Sequence, residues 1–155
     1  RIKRKTALLI AASCQLGAIA AGANRDTVNR LFWYGYFVGM SYQIIDDILD
    51  FVSTEEKLGK PAGGDLLQGN ITLPALYAME DPILCKKIKS VHENTTADEM
   101  KEIIEAVKNS AAIDKAFAFS ERYLHKALEM IKPLPRGQAK YALQNVAKYI
   151  GKRKF

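Results

Sequence analysis

Gly39-Met40-Ser41-Tyr42-Gln43-Ile44-Ile45-Asp46-Asp47-Ile48-Leu49-Asp50 is the stretch that decides the fold. The residues on either side predict one helix from Arg25 to Val52, with Asp26 or Thr27 as its N-cap. Its apolar side chains do not keep to one side. Leu31, Val38, Ile45 and Leu49 form one flank; Phe37, Ile44, Ile48 and Val52 form another. A helix apolar nearly all round is a buried helix, the centre of a bundle. Yet three carboxylates sit near its C-terminal end. Buried carboxylates are costly unless paired or bound to a metal. The helix dipole at that end also disfavours negative charge, so something positive must compensate.

Spacing says where that positive partner lies. Asp46 and Asp50 are four apart and share a face, and Asp47 sits about 100° round the helix. Gln43 lies one turn below, and Gly39, Tyr36 and Phe32 continue the stripe. One face therefore carries an acidic top over an apolar, aromatic floor, with Gly39 read as a gap in the wall. That layout suits a ligand with a charged head and an apolar tail. Carboxylate oxygens are hard donors that match Mg²⁺ or Mn²⁺ better than zinc or copper. The plain alternative, a solvated helix end, fits poorly with the apolar surroundings. The alternation of an EF-hand loop, the Glu-x-x-His of a di-iron bundle and zincin spacing after His92-Glu93 are all absent.

The rest of the chain predicts helices joined by turns. Lys3 to Ala23 reads as a helix rich in Ala and Leu that ends at Gly22. Ser53 to Leu58 reads as a helical turn. Gly59-Lys60-Pro61-Ala62-Gly63-Gly64-Asp65 is the main loop. Thr72 can cap a helix from Leu73 to Met79, and Asp81-Pro82 restarts one that runs to about Glu93. Thr96 and Glu99 form a capping box for a helix to about Lys108. Ile113 to Ile131 and Gln138 to Ile150 complete the set, and Lys152-Arg153-Lys154 is a basic tail. No stretch alternates as a strand does. The expected class is all-α, with residues 1–155 forming a single helical domain or half-domain of a bundle.

Composition narrows the function classes. The 155 residues are 48% hydrophobic and 26% charged, with a net charge of +6. That charge suits nucleic acid, an anionic membrane surface or a phosphorylated small molecule. The basic residues are spread rather than striped, and no helix-turn-helix or aromatic platform appears, so nucleic acid is not the expected partner. No apolar run reaches the length of a membrane span, and at most peripheral membrane contact is expected. Cys14 and Cys85 show no metal spacing, and a reduced, cytoplasmic setting is the default.

Two basic positions point to an anion. Lys60 stands in the glycine loop, without the spacing of a Walker loop. Taken alone, it is a solvated lysine in a surface turn. Lys5-Thr6 opens the first helix, where a lysine is unfavourable unless an anion is near. His92 and His125 read as surface residues.

These residues together resemble a known family. Tyr42-Gln43-Ile44-Ile45-Asp46-Asp47-Ile48-Leu49-Asp50 is similar to the second aspartate-rich motif of the trans-polyprenyl diphosphate synthases. Gly59 to Leu66, then Thr72-Leu73-Pro74, look like the loop and helix start that follow it, and Lys5-Thr6 looks like the family's Lys-Thr pair. The likeness is strongest to bacterial medium-chain members and spans the chain, but only the second half of such an enzyme.

The resemblance implies an isoprenoid synthase helical bundle and a prenyl transfer reaction. An allylic diphosphate ionises with Mg²⁺ (Mn²⁺ as the alternative), and isopentenyl diphosphate attacks the carbocation. It implies Asp46, Asp47 and Asp50 as metal residues, with Asp46 foremost. Lys5 and Lys60 would hold the diphosphate, and Asp65 would lie at the substrate. Thr6 and Gln43 would sit beside the reacting carbons, and Phe32 and Tyr36 would line the tail's path. It further implies a menaquinone side-chain product and a homo- or heterodimer partner. The first aspartate-rich motif is absent, so the N-terminal half must complete the site and this chain alone is expected to be inactive. Asn70 stands where many relatives carry lysine, and Tyr42 where Phe is commoner. The competing expectations are a terpene cyclase of the same fold and a non-catalytic helical partner subunit.

Overall fold

The computed structural model describes residues 6–53 and 62–153. Lys5, Lys60 and the predicted turn after Ser53 lie outside them. Among the described residues there are eight helices and no strand: α1 (Leu8–Ala20), α2 (Arg25–Val52), α3 (Gly64–Leu67), α4 (Leu73–Ala78), α5 (Pro82–Lys89), α6 (Ala97–Lys108), α7 (Ala112–Ile131) and α8 (Gln138–Gly151). The all-α expectation holds. The described residues cluster into two compact units, one made of those up to Ile45 with those from Phe119 onward, the other of Asp46 to Ala118. Both α2 and α7 contribute to each unit.

In the first unit, α1 ends earlier than expected, because Gly22 takes the left-handed conformation (φ 68°) and its N–H bonds back to the Ile19 carbonyl. The cap of α2 is neither Asp26 nor Thr27. Asn24 Oδ1 accepts from the Thr27 N–H at 2.9 Å, while Asp26 pairs with Arg30 one turn on. The centre of α2 is buried as its pattern requires, with Tyr34, Val38, Ser41, Ile44 and Ile45 inside. The Tyr34 hydroxyl donates to the Leu143 carbonyl of α8 at 2.7 Å. The hydroxyls of Ser41 and Ser120, 79 residues apart, share a hydrogen bond of 2.7 Å that satisfies both inside the core.

The crossing of α1 and α2 is set by glycine. A Cβ on Gly39 would stand 2.6 Å from Ala7 Cα, and one on Gly35 would stand 2.7 Å from the Ile10 carbonyl oxygen. Backbone meets backbone there. Gly39 is therefore not the gap in a ligand wall that its place in the stripe implied; α1 fills the space.

In the second unit, α6 buries Met100, Ile103, Ile104 and Val107 and carries the expected capping box, with Thr96 and Glu99 each bonded to the other's backbone N–H. Asp81 Oδ1 caps α5 by accepting from Ile83 and Leu84 N–H groups, with Pro82 in the first turn. Thr72 precedes α4 as expected but makes no side-chain cap, and its hydroxyl is buried with no hydrogen-bond partner among the described residues. Ion pairs Lys115–Glu80 and Lys87–Glu102 tie neighbouring helices at the surface.

Candidate functional site

The first unit holds two of the expected catalytic residues in contact. Thr6 and Ala7 form a π-type turn that leads into α1. Thr6 Oγ1 donates to Gln43 Oε1 at 2.8 Å, across 37 residues of sequence. Gln43 is 8% exposed. This contact depends on the close crossing at Gly39–Ala7, since Gln43 is one helical turn past Gly39 and Thr6 is the neighbour of Ala7.

Below Gln43 on α2 runs the aromatic stripe. Phe32 and Tyr36 are half-buried, and sequence reasoning found both. It missed Trp33, which meets Phe32 edge-on at 5.4 Å, meets Tyr36 edge-on at 5.5 Å and stacks on Phe37 at 5.7 Å. From α7, Tyr123 lies 6.1 Å from Phe37, and the Lys126 ammonium sits over both rings. The available signal was the i, i+4 spacing of Phe119 and Tyr123, which marks one helix face. Burial pushes the Tyr123 phenol above its ordinary range, and nearby Tyr36 adds to this. Burial likewise pushes the Cys14 thiol, against Gly35, above its ordinary value. Arg153, from the basic tail, lies over the Tyr42 ring at 4.8 Å from its centroid.

The acidic residues belong to the second unit. Asp47 is 4% exposed and Asp50 1%, while Asp46 is half-exposed. Asp50 Oδ2 accepts from the Asp65 N–H at 3.1 Å, and the Asp50 carbonyl accepts from the Gly63 N–H at 2.8 Å. Asp50 thus clamps the chain as it leaves the glycine loop. Gly63 is left-handed (φ 71°), and a side chain there would strike Ile104 and Met100. Asp65 meets Asp50 through its backbone N–H.

Among the described residues, no three His, Cys, Asp or Glu side chains gather closely enough to hold a metal ion by themselves. The donor chemistry still suits a hard cation, because the three groups are carboxylates, with Asp46 the least buried of them. No described helix is long and apolar enough to cross a membrane.

The family model described as Polyprenyl synthetase matches residues 1–108. The chain is 61% identical, over its whole length, to heptaprenyl diphosphate synthase component 2 of Bacillus subtilis, of which it covers 44%. It is 57% identical to the component 2 of Geobacillus stearothermophilus, covering 48% of that protein. The crystal structure of heptaprenyl diphosphate synthase from Staphylococcus aureus superposes with a TM-score of 0.95 at 46% identity, over 99% of this chain and 49% of that one. The chain therefore spans about half the length of these relatives.

Proposed function

The chain belongs to the polyprenyl synthetase family, and from that membership we propose that it supplies one part of the metal- and diphosphate-binding site of a trans-prenyltransferase and is inactive without the rest. The whole enzyme would elongate an allylic prenyl diphosphate with isopentenyl diphosphate, in a homo- or heterodimer, and supply the polyprenyl side chain of a quinone such as menaquinone. The observation that carries the proposal is the Thr6–Gln43 hydrogen bond. Two oxygens assigned to the reacting carbons by resemblance meet at 2.8 Å inside a largely apolar unit.

Each residue has a role that follows from its chemistry. Asp46 would hold Mg²⁺, or Mn²⁺, with Asp47 beside it. Bound there, the metal supplies positive charge that offsets the charge developing on the departing diphosphate. Asp50 keeps Gly63 to Asp65 in place, and with them the end of the loop that carries Lys60. Lys5 and Lys60 would add point charges to the diphosphate. Thr6 orients Gln43, and their oxygen dipoles lower the energy of positive charge on the allylic carbon without capturing it. Phe32 and Tyr36, extended by Trp33, offer aromatic surface to the tail.

The test uses the full-length polypeptide that carries this chain, with its partner, supplied with farnesyl and isopentenyl diphosphates and Mg²⁺. A longer linear prenyl diphosphate and released diphosphate are expected. A cyclic hydrocarbon would assign a cyclase, and no turnover in the complete assembly a supporting subunit. Asp46→Ala should lower kcat by about 10² or more, a loss of about 2.7 kcal/mol of transition-state stabilisation, with the circular dichroism spectrum unchanged.

A further inference from the structure

Basic residues run the length of the chain, but acidic residues stop at Glu129. The 129 residues to that point hold 16 Lys and Arg against 17 Asp and Glu, a net charge of −1. The 26 that follow hold seven Lys and Arg and neither Asp nor Glu, so they carry more than the whole net charge of +6. Helix α8 makes up most of this segment. An ordinary solvated helix mixes signs on its outer face, as α6 does with Asp98, Lys101, Glu102 and Glu105 exposed. No such mixing is available to α8. Two cations of the segment are engaged within the fold: Lys140 Nζ donates to the carbonyls of Lys132 and Leu134 at 2.6 and 2.8 Å, and Arg153 lies over the Tyr42 ring. Arg136, Lys148 and Lys152 stand exposed.

The exposed face of α8 is also aromatic. Tyr141 is 64% exposed and Tyr149 70%, while the helix buries Ala147 and Ile150. Lys148, Tyr149 and Lys152 follow Tyr141 at offsets of seven, eight and eleven, which places all four on one stripe about 16 Å long. Tyrosines interleaved with lysines, and free of carboxylates, match the headgroup layer of a bilayer. There an amphipathic ring sits with its body toward the acyl chains and its hydroxyl toward water, and lysine meets anionic headgroups. A nucleic-acid duplex would engage the cations but offers the rings no apolar layer. A polyprenyl product, as proposed above, leaves water for a bilayer, which gives such a contact a use.

We propose that the Tyr141–Lys148–Tyr149–Lys152 stripe of α8 is a peripheral contact for an anionic phospholipid bilayer, lying against the headgroups while the opposite face of α8 stays packed on its own unit. The inference rests on the proposed activity only for its use. Its test contains no substrate, so either can fail without the other. The full-length polypeptide that carries this chain, with its partner, is sedimented with vesicles of phosphatidylcholine and phosphatidylglycerol, and with vesicles of phosphatidylcholine alone. Binding that prefers the anionic vesicles and weakens as salt is raised is expected. Lys148→Gln with Lys152→Gln should lower the partition coefficient about thirtyfold, since each lysine at such a surface contributes about fivefold. Lys148→Arg with Lys152→Arg should retain it. Tyr141→Ser with Tyr149→Ser should lower it without changing the salt dependence. Lys89→Gln with Lys101→Gln, equal in charge but on exposed positions of α5 and α6, should leave it within about twofold. An equal loss in that control would overturn the proposal, as would binding that ignores the anionic lipid. Binding of single-stranded RNA without binding of either vesicle would overturn it too, and would assign the stripe to nucleic acid.

Discussion

Three aspartates of one motif carry different duties, and burial separates them. Asp50 is the most enclosed and bonds the Asp65 N–H, while Asp46 is half-exposed. A hydrogen bond to a charged acceptor contributes about 1.5–3 kcal/mol. Asp50→Ala should therefore lower the unfolding free energy by about that much, read from the denaturant midpoint. Asp50→Asn keeps an acceptor for the Asp65 N–H and should lose less than half of it. Equal losses in the two variants would show that the negative charge, rather than the clamp, is what matters at this position. Spacing reports only which face a side chain shares. It does not report which backbone N–H arrives from 15 residues away.

At the scale of the element, the crossing of α1 on α2 ties packing to chemistry. Gly39→Val would place a side chain 2.6 Å from Ala7 Cα, where backbone rather than a flexible side chain must yield. Overpacking of this kind costs about 1–3 kcal/mol. It should also part Thr6 from Gln43, lowering kcat more than it raises KM in steady-state assays. The α6 cap gives a prediction in pH. The backbone N–H and then the hydroxyl of Thr96 hold the Glu99 carboxyl below its ordinary value of 4.5. A depressed carboxyl stabilises the fold fully above that ordinary value and loses its contribution as pH falls through the lower folded value. Thr96→Ala should cost about 1 kcal/mol at neutral pH. Glu99→Gln should flatten the decline in thermal midpoint below pH 4.5, and an unchanged slope would remove Glu99 from the acid response.

For the whole molecule, the proposed ionisation implies a metal requirement. Chelation with EDTA should abolish prenyl transfer by the complete assembly, and Mg²⁺ should restore it; activity that survives chelation would exclude the cation role of Asp46. The helical class, the span of α2 from Arg25 to Val52, the capping box of α6 and the kinship were legible in the sequence. Each of those depends on neighbours within a turn or two, or on a motif read along the chain. The tertiary structure alone decided that Asn24 caps α2, that Gly39 is a crossing point, that Thr6 bonds Gln43 and that Ser41 meets Ser120. It alone decided that α1 turns its leucines outward. The physical reason is range. Periodicity encodes which faces avoid water, whereas contacts between residues 37 or 79 positions apart exist only once whole helices have chosen which face to spend on which neighbour.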